Sequence, residues 1–233
     1  MLYLQTFEAF KLKKKKKIKR DYRKGSGGTT AIMNNIIGED GSLPDLLEKL
    51  CKRFNVKKVK YKACGVFGMA FLADDNKVIK LTSSKTEASD VNQLIGKEIP
   101  GCVNYFDIVY SKKFDIYCIL MERVEVLKGK EKKMISEIID TIYTNPNYSD
   151  KEVIESAAMD EYGNPQFSPD KLKIYLTELK QLESKLKLAG VSVNDIHSDN
   201  LGRRNGELVH FDVMSETTRQ EDIEKISRLK MKN

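Results

Sequence analysis

Two stretches near the C-terminal end of the chain concentrate oxygen donors. VNDIHSDNLG (193–202) holds Asp195, His197, Asp199 and Asn200, and VHFDV (209–213) adds Asp212. Carboxylates and an amide this close together can take a proton from a hydroxyl and can hold a hard cation such as Mg2+. Much earlier, ACGVFGMA (63–70) places Gly65 and Gly68 in a short loop, where backbone without a Cβ can lie against a ligand. KVIKL (77–81) follows, an apolar run carrying Lys80, a cation suited to an anionic group.

These residues must be positioned by a fold, and the chain is long enough to supply one. It has 233 residues, 40% of them hydrophobic, which suffices for one substantial core or for two small lobes. Its apolar runs fall short of the roughly 18 residues that cross a bilayer, and the basic run near the N-terminus does not have the order of a signal peptide. Cys51, Cys64, Cys102 and Cys118 are widely spaced, without a C-x-x-C pair, so reduced thiols in a cytoplasmic protein are expected rather than a zinc site or disulfide framework. The net charge of +7 is unevenly spread: residues 11–24 hold ten Lys/Arg and one Asp, and the rest of the chain carries 31 basic and 33 acidic residues. A basic tail on a slightly acidic globule can contact nucleic acid or another anionic surface by releasing counterions, or can simply be a solvated arm. Residues 25–30, GSGGTT, read as its linker.

The periodicity predicts a helix from Ser42, then short strands over 56–63, 66–73 and 77–81, parted by Gly and by Asp-Asp-Asn. A helix over 84–95 and a hairpin of 102–109 with 114–121 complete a β-rich lobe. From about 130 to 189 the pattern is helical, and Gly190 is placed to stop the long last helix. Strands around 201 and 207–211 follow, with Asn205-Gly206 as their turn. The fold class expected is α+β, with residues 1–30 as tail and linker, 31–123 as a β-rich N-lobe and 124–233 as a helical C-lobe. A cleft is expected where the two lobes join.

Taken in order, the motifs resemble those of protein kinases. ACGVFGMA is similar to the glycine-rich loop GxGxxGxV with Ala63 at its first glycine, and VIK at 78–80 resembles the strand motif V-A-I-K. The resemblance implies that Gly65, Phe67, Gly68 and Lys80 bind nucleotide and that a carboxylate orients Lys80. Glu87 is preferred for that carboxylate; Glu98 precedes Ile-Pro-Gly at a helix end, and Ser84-x-x-Glu87 also fits a capping box. In the catalytic loop, H-R-D-x-x-x-x-N, reading His197-Ser198-Asp199 as the triplet demands Asn at 204, where Arg204 stands. Reading Asp195 as the aspartate puts Asn200 at the required spacing and Asp212 17 residues on. Asp195 is then implied as the catalytic carboxylate, with Asn200 and Asp212 as ligands of Mg2+ and Asp199 in a local hydrogen-bonding role. FDIYCILMERV (114–124) resembles a fifth strand and hinge, which implies Met121, Glu122 and Val124 around the adenine.

Three departures qualify the likeness. Val193 replaces the catalytic-loop histidine, Phe211-Asp212-Val213 replaces D-F-G, and 21 residues follow Asp212 with no A-P-E. The resemblance therefore implies a bilobal protein-kinase-like fold with a truncated helical lobe, economical in the manner of RIO-type kinases. The implied activity is ATP- and Mg2+-dependent transfer to Ser or Thr of a protein. Two alternatives stay open: a small-molecule kinase resembling aminoglycoside phosphotransferases, and a pseudokinase or binding module docked by its basic tail.

Overall fold

The computed structural model describes residues 42–64, 68–74, 76–191, 193 and 196–212. Gly65, Phe67, Asp195, the basic segment 11–24 and the charged end from 220 lie outside the described residues. The chain is α+β and falls into two compact units; of the described residues, the first holds those in 42–96 and 104–123 and the second those in 97–103 and 124–212.

Among the described residues, the first unit has a five-stranded antiparallel sheet and two helices. Helix α1 (Ser42–Arg53) precedes strands β1 (Val59–Cys64), β2 (Gly68–Ala73) and β3 (Lys77–Thr82); helix α2 (Lys85–Leu94) and strands β4 (Tyr105–Ser111) and β5 (Ile116–Glu122) follow. The strand order is β1-β2-β3-β5-β4. Leu43, Leu46, Leu47, Leu50 and Phe54 recur at helical spacing, so α1 has one apolar stripe. That stripe joins Phe71, Ile79, Leu81, Ile116, Cys118 and Leu120 in a single buried cluster. Strand alternation supplies the other half: Met69, Phe71 and Ala73 of β2 and Ile79 and Leu81 of β3 are buried at every second position. Strand β5 is buried along both faces, Ile116 through Met121, and α2 packs on β4 and β5. The third strand, which bears Lys80, is followed directly by a helix.

The second unit is helical with a small sheet. It contains β6 (Glu125–Val126), α3 (Gly129–Thr144), α4 (Asp150–Ala157), α5 (Pro169–Leu188), a 3-10 turn (Ser198–Asn200), β7 (Leu201–Arg204) and β8 (Glu207–His210). Leu172, Leu176, Leu179, Leu182 and Leu186 form the buried stripe of α5. Pro169 starts that helix and Gly190, at φ +70°, ends it. The Gly190 and Val191 amides return to the carbonyls of Lys187 and Leu186, 3.0 Å each, the paired bonds of a Schellman stop. Asn205 and Gly206, at φ +52° and +86°, make the tight turn between β7 and β8. Arg203 of β7 reaches Glu131 of α3 at 2.8 Å and Glu178 of α5 at 2.7 Å, fastening the sheet to both helices.

One boundary differs from the expectation drawn from the sequence. Residues 97–103 group with the second unit, and β4 begins only at Tyr105. The first residues of the expected strand pair elsewhere: Cys102 bridges His210 in parallel, with Gly101 O just before it accepting from His210 N at 2.8 Å and Val103 N donating to His210 O at 3.1 Å. Strand β6, two residues long, is too short for any periodicity to announce it. Among the described residues no helix is long and apolar enough to cross a membrane.

Candidate active site

In the first unit, β3 turns Ile79 and Leu81 into the core, which leaves Lys80 on the other face. Its cross-strand neighbours there are Ala70 and Ile119. The chain leaves β3 at Thr82, and the Thr82 hydroxyl accepts the Ser84 amide at 3.1 Å. Ser84 then caps α2, its Oγ accepting the Glu87 amide at 3.1 Å. The Glu87 carboxylate lies against the Lys80 ammonium, Nζ to Oε1 2.6 Å, with side chains only 18% and 7% exposed. An ion pair this sheltered fixes the lysine's position, because removing either partner strands a charge away from water. The structure thus brings Lys80 and Glu87 together, and it makes the Ser84 side of the capping box as well. Glu98 lies beyond the end of α2 and is exposed.

Gly68 has a reason for being glycine that the sequence did not reveal. A Cβ there would stand 2.5 Å from the Leu81 carbonyl oxygen of β3, so the close pairing of β2 with β3 excludes a side chain. Met121 is buried near the end of β5. Glu122 is clamped to Asn104 in both directions: its amide donates to Asn104 O at 2.8 Å, and its carboxylate accepts from Asn104 N at 3.0 Å.

In the second unit, the loop before β7 is held by its own backbone. Asn200 N donates to His197 O at 2.9 Å across the 3-10 turn. Phe211 N donates to Asn200 O at 3.0 Å, which carries the β7–β8 pairing one step past Leu201 and His210. Asn200, buried, therefore stands beside the residue that precedes Asp212, which is half-buried. An amide and a carboxylate oxygen are hard donors, and Mg2+ characteristically takes one or two such groups together with substrate phosphates. The donor set fits that ion, and among the described residues no cluster of three or more His, Cys, Asp or Glu offers a richer cage. Asp199 is turned to solvent and pairs with Lys132 of α3 at 2.5 Å. Val124 packs over β7, since a Cβ on Gly202 would meet Val124 Cγ2 at 2.7 Å.

Sequence reasoning missed Thr82, which satisfies the Ser84 amide, and Lys132, which holds Asp199. Thr82 had a legible signal, a hydroxyl two residues before a cap. Lys132 had none, because its partner is 67 residues away.

No protein-family model matches the chain, and no curated protein matches it. Solved structures do. The streptomycin–ATP–APH(2")-IIa ternary complex is 16% identical, with 81% of this chain and 84% of that chain covered and a TM-score of 0.33. The aminoglycoside phosphotransferase APH(4)-Ia is 12% identical over 73% of this chain and 71% of its own, with a TM-score of 0.39. A GDP complex of a mutant aminoglycoside 2'-phosphotransferase-IIIa is 12% identical, covers 74% of this chain and 73% of its own, and scores 0.37.

Proposed function

We propose that the chain is an ATP- and Mg2+-dependent phosphotransferase that acts on Ser or Thr hydroxyls of a protein. The observation that carries this reading is the sheltered ion pair of Lys80 and Glu87, a cation fixed by a helix on the strand after a glycine loop. Lys80 holds the α- and β-phosphates, and Glu87 keeps it extended towards them. Asn200 and Asp212 would hold Mg2+, which when bound neutralises phosphate charge. By the motif's register Asp195 orients the acceptor hydroxyl and takes its proton. The hydroxyl oxygen bonds to the γ-phosphorus, the bond to the β–γ bridging oxygen breaks, and ADP leaves with the electron pair. Little covalent chemistry falls to the protein, so positioning and charge carry the rate.

The motifs leave a small-molecule acceptor open beside a protein one. Streptomycin, present with ATP in one of the similar solved structures, is the second acceptor to test. Purified chain is incubated with γ-labelled ATP and Mg2+, in parallel with lysate proteins, with streptomycin, and alone. Label on protein Ser or Thr supports the reading. Label on streptomycin alone replaces the acceptor, and absence of transfer in every arm contradicts the reading.

A further inference from the structure

Charge divides between the units as sharply as secondary structure does. Residues 42–96 and 104–123 carry thirteen Lys/Arg against nine Asp/Glu, and residues 97–103 and 124–212 carry thirteen against seventeen. The first unit is therefore basic, and its excess is concentrated in one run. Lys57, Lys58, Lys60 and Lys62 are all exposed, on strand β1 and the segment that leads into it. Strand β1 is an edge of the sheet. Val59 and Tyr61 alternate with these lysines and pack against the core cluster, so every exposed position from 57 to 62 is a lysine.

The two cations nearest before the run in the chain are neutralised. Lys52 pairs with Glu48 at 2.8 Å and Arg53 with Asp107 at 3.0 Å. Asp74, at the start of the run, accepts the backbone amides of Lys57 and Lys58 at 2.9–3.2 Å. Among the described residues the four ammonium groups have no carboxylate in an ion pair, whereas Lys132, Lys180, Lys185 and Lys187 each have one.

We propose that this lysine row is a docking surface for a nucleic-acid backbone. Alternate strand residues stand about 6–7 Å apart, so Lys58, Lys60 and Lys62 form a regular line of cations along an extended edge. A line of point charges suits a chain of phosphates, and each phosphate neutralised releases a condensed counterion. A bilayer surface fits less well. Stable interfacial binding needs apolar side chains to insert beside the cations, and here Val59 and Tyr61 are turned inward. Binding through phosphates alone reads no sequence, so the surface accepts single strands of any composition.

Lysines on an edge strand also deter pairing with other sheets, and the test separates the two roles. The full chain is titrated against a fluorescein-labelled single-stranded oligonucleotide over a range of salt, with anisotropy as the readout. Three proteins are compared: the unaltered chain, K57Q/K58Q/K60Q/K62Q, and a full chain with the ten basic residues of 11–24 changed to Gln. The lysine-row variant should bind at least about tenfold more weakly. Its log K against log salt slope should flatten by about 2–3, at ~0.7 for each phosphate that is no longer neutralised. The tail variant should retain salt-dependent binding through the row. ATP turnover should be unchanged in the row variant. If that variant melts early, K57Q/K58Q and K60Q/K62Q are read separately, each with about half the slope change. Affinity and slope equal to the unaltered chain in the row variant would overturn the proposal. So would capture by phosphatidylserine vesicles without binding of the oligonucleotide.

Discussion

Two helices of this protein begin with the same signature, Ser-x-x-Glu, and use it differently. At α4, Ser149 and Glu152 close a full capping box: the Ser149 amide donates to Glu152 Oε2 at 2.7 Å and the Glu152 amide donates to Ser149 Oγ at 3.4 Å. At α2, Ser84 makes its half, while the Ser84 amide goes to the Thr82 hydroxyl and the Glu87 carboxylate goes to Lys80. Glu152 is exposed and Glu87 is buried. A local motif therefore does not determine what its glutamate does. A lysine on the adjacent strand and a hydroxyl placed to satisfy the cap divert it from helix stability to holding a cation.

The largest effect expected from that contrast is at the diverted pair. Lys80→Ala and Glu87→Ala should each lower phosphotransfer by at least about tenfold. Glu87→Ala should also cost about 3 kcal/mol of stability, at the low end for breaking a sheltered pair, because the Lys80 side chain keeps some exposure. Activity assays with a denaturant titration of each variant check both numbers.

Thr82→Val comes next. It takes away the acceptor of the Ser84 amide and should cost about 1–2 kcal/mol. The liberated amide competes for the Glu87 carboxylate, so turnover should fall as well. Full activity in a folded Thr82→Val protein would show that Thr82 does not hold the division in place.

How far the sequence disclosed this site follows from distance along the chain. Lys80 and Glu87 are seven residues apart on consecutive elements, and their pairing could be weighed against the cap from local pattern alone. The pairing of the Asn200 carbonyl with Phe211 was legible for the same reason, through the Asn205-Gly206 turn that sets the hairpin register. The placement of 97–103 with the second unit was not legible. It depends on pairing with His210, more than a hundred residues away, and apolar strand residues give no sign of which partner they will take. The glycine at 68 was legible as a glycine, but its close approach to the Leu81 carbonyl is a property of the paired strands.

At the undiverted box the effect should be on stability alone. Ser149→Ala should cost about 1 kcal/mol, read from the denaturation midpoint, with unchanged turnover. A loss of activity there would mean that the two boxes are not separate in function.

The smallest effect is a titration. Hydrogen bonds from the Ser149 hydroxyl and then the Ser149 amide hold the Glu152 carboxyl below the usual glutamate value. A depressed folded value contributes stability above the unfolded pKa, and that contribution is lost as pH falls through the folded one. Because the group is exposed, the change in stability should be slight, while its carboxyl resonance should titrate lower than that of a free glutamate. Ser149→Ala should move it up towards the ordinary range, since the hydroxyl bond is lost while the backbone amide bond remains available.

Nucleotide binding tests the central claim most directly. Calorimetric titration of ATP, with and without Mg2+, is run on the unaltered chain, Lys80→Ala and Asp212→Ala, each first shown to be folded. The unaltered chain should bind ATP more tightly with Mg2+ than without. Lys80→Ala should weaken binding by about tenfold or more, and Asp212→Ala should lose the enhancement by Mg2+. No binding by the unaltered chain, or the same affinity and the same Mg2+ dependence in all three proteins, would contradict the account.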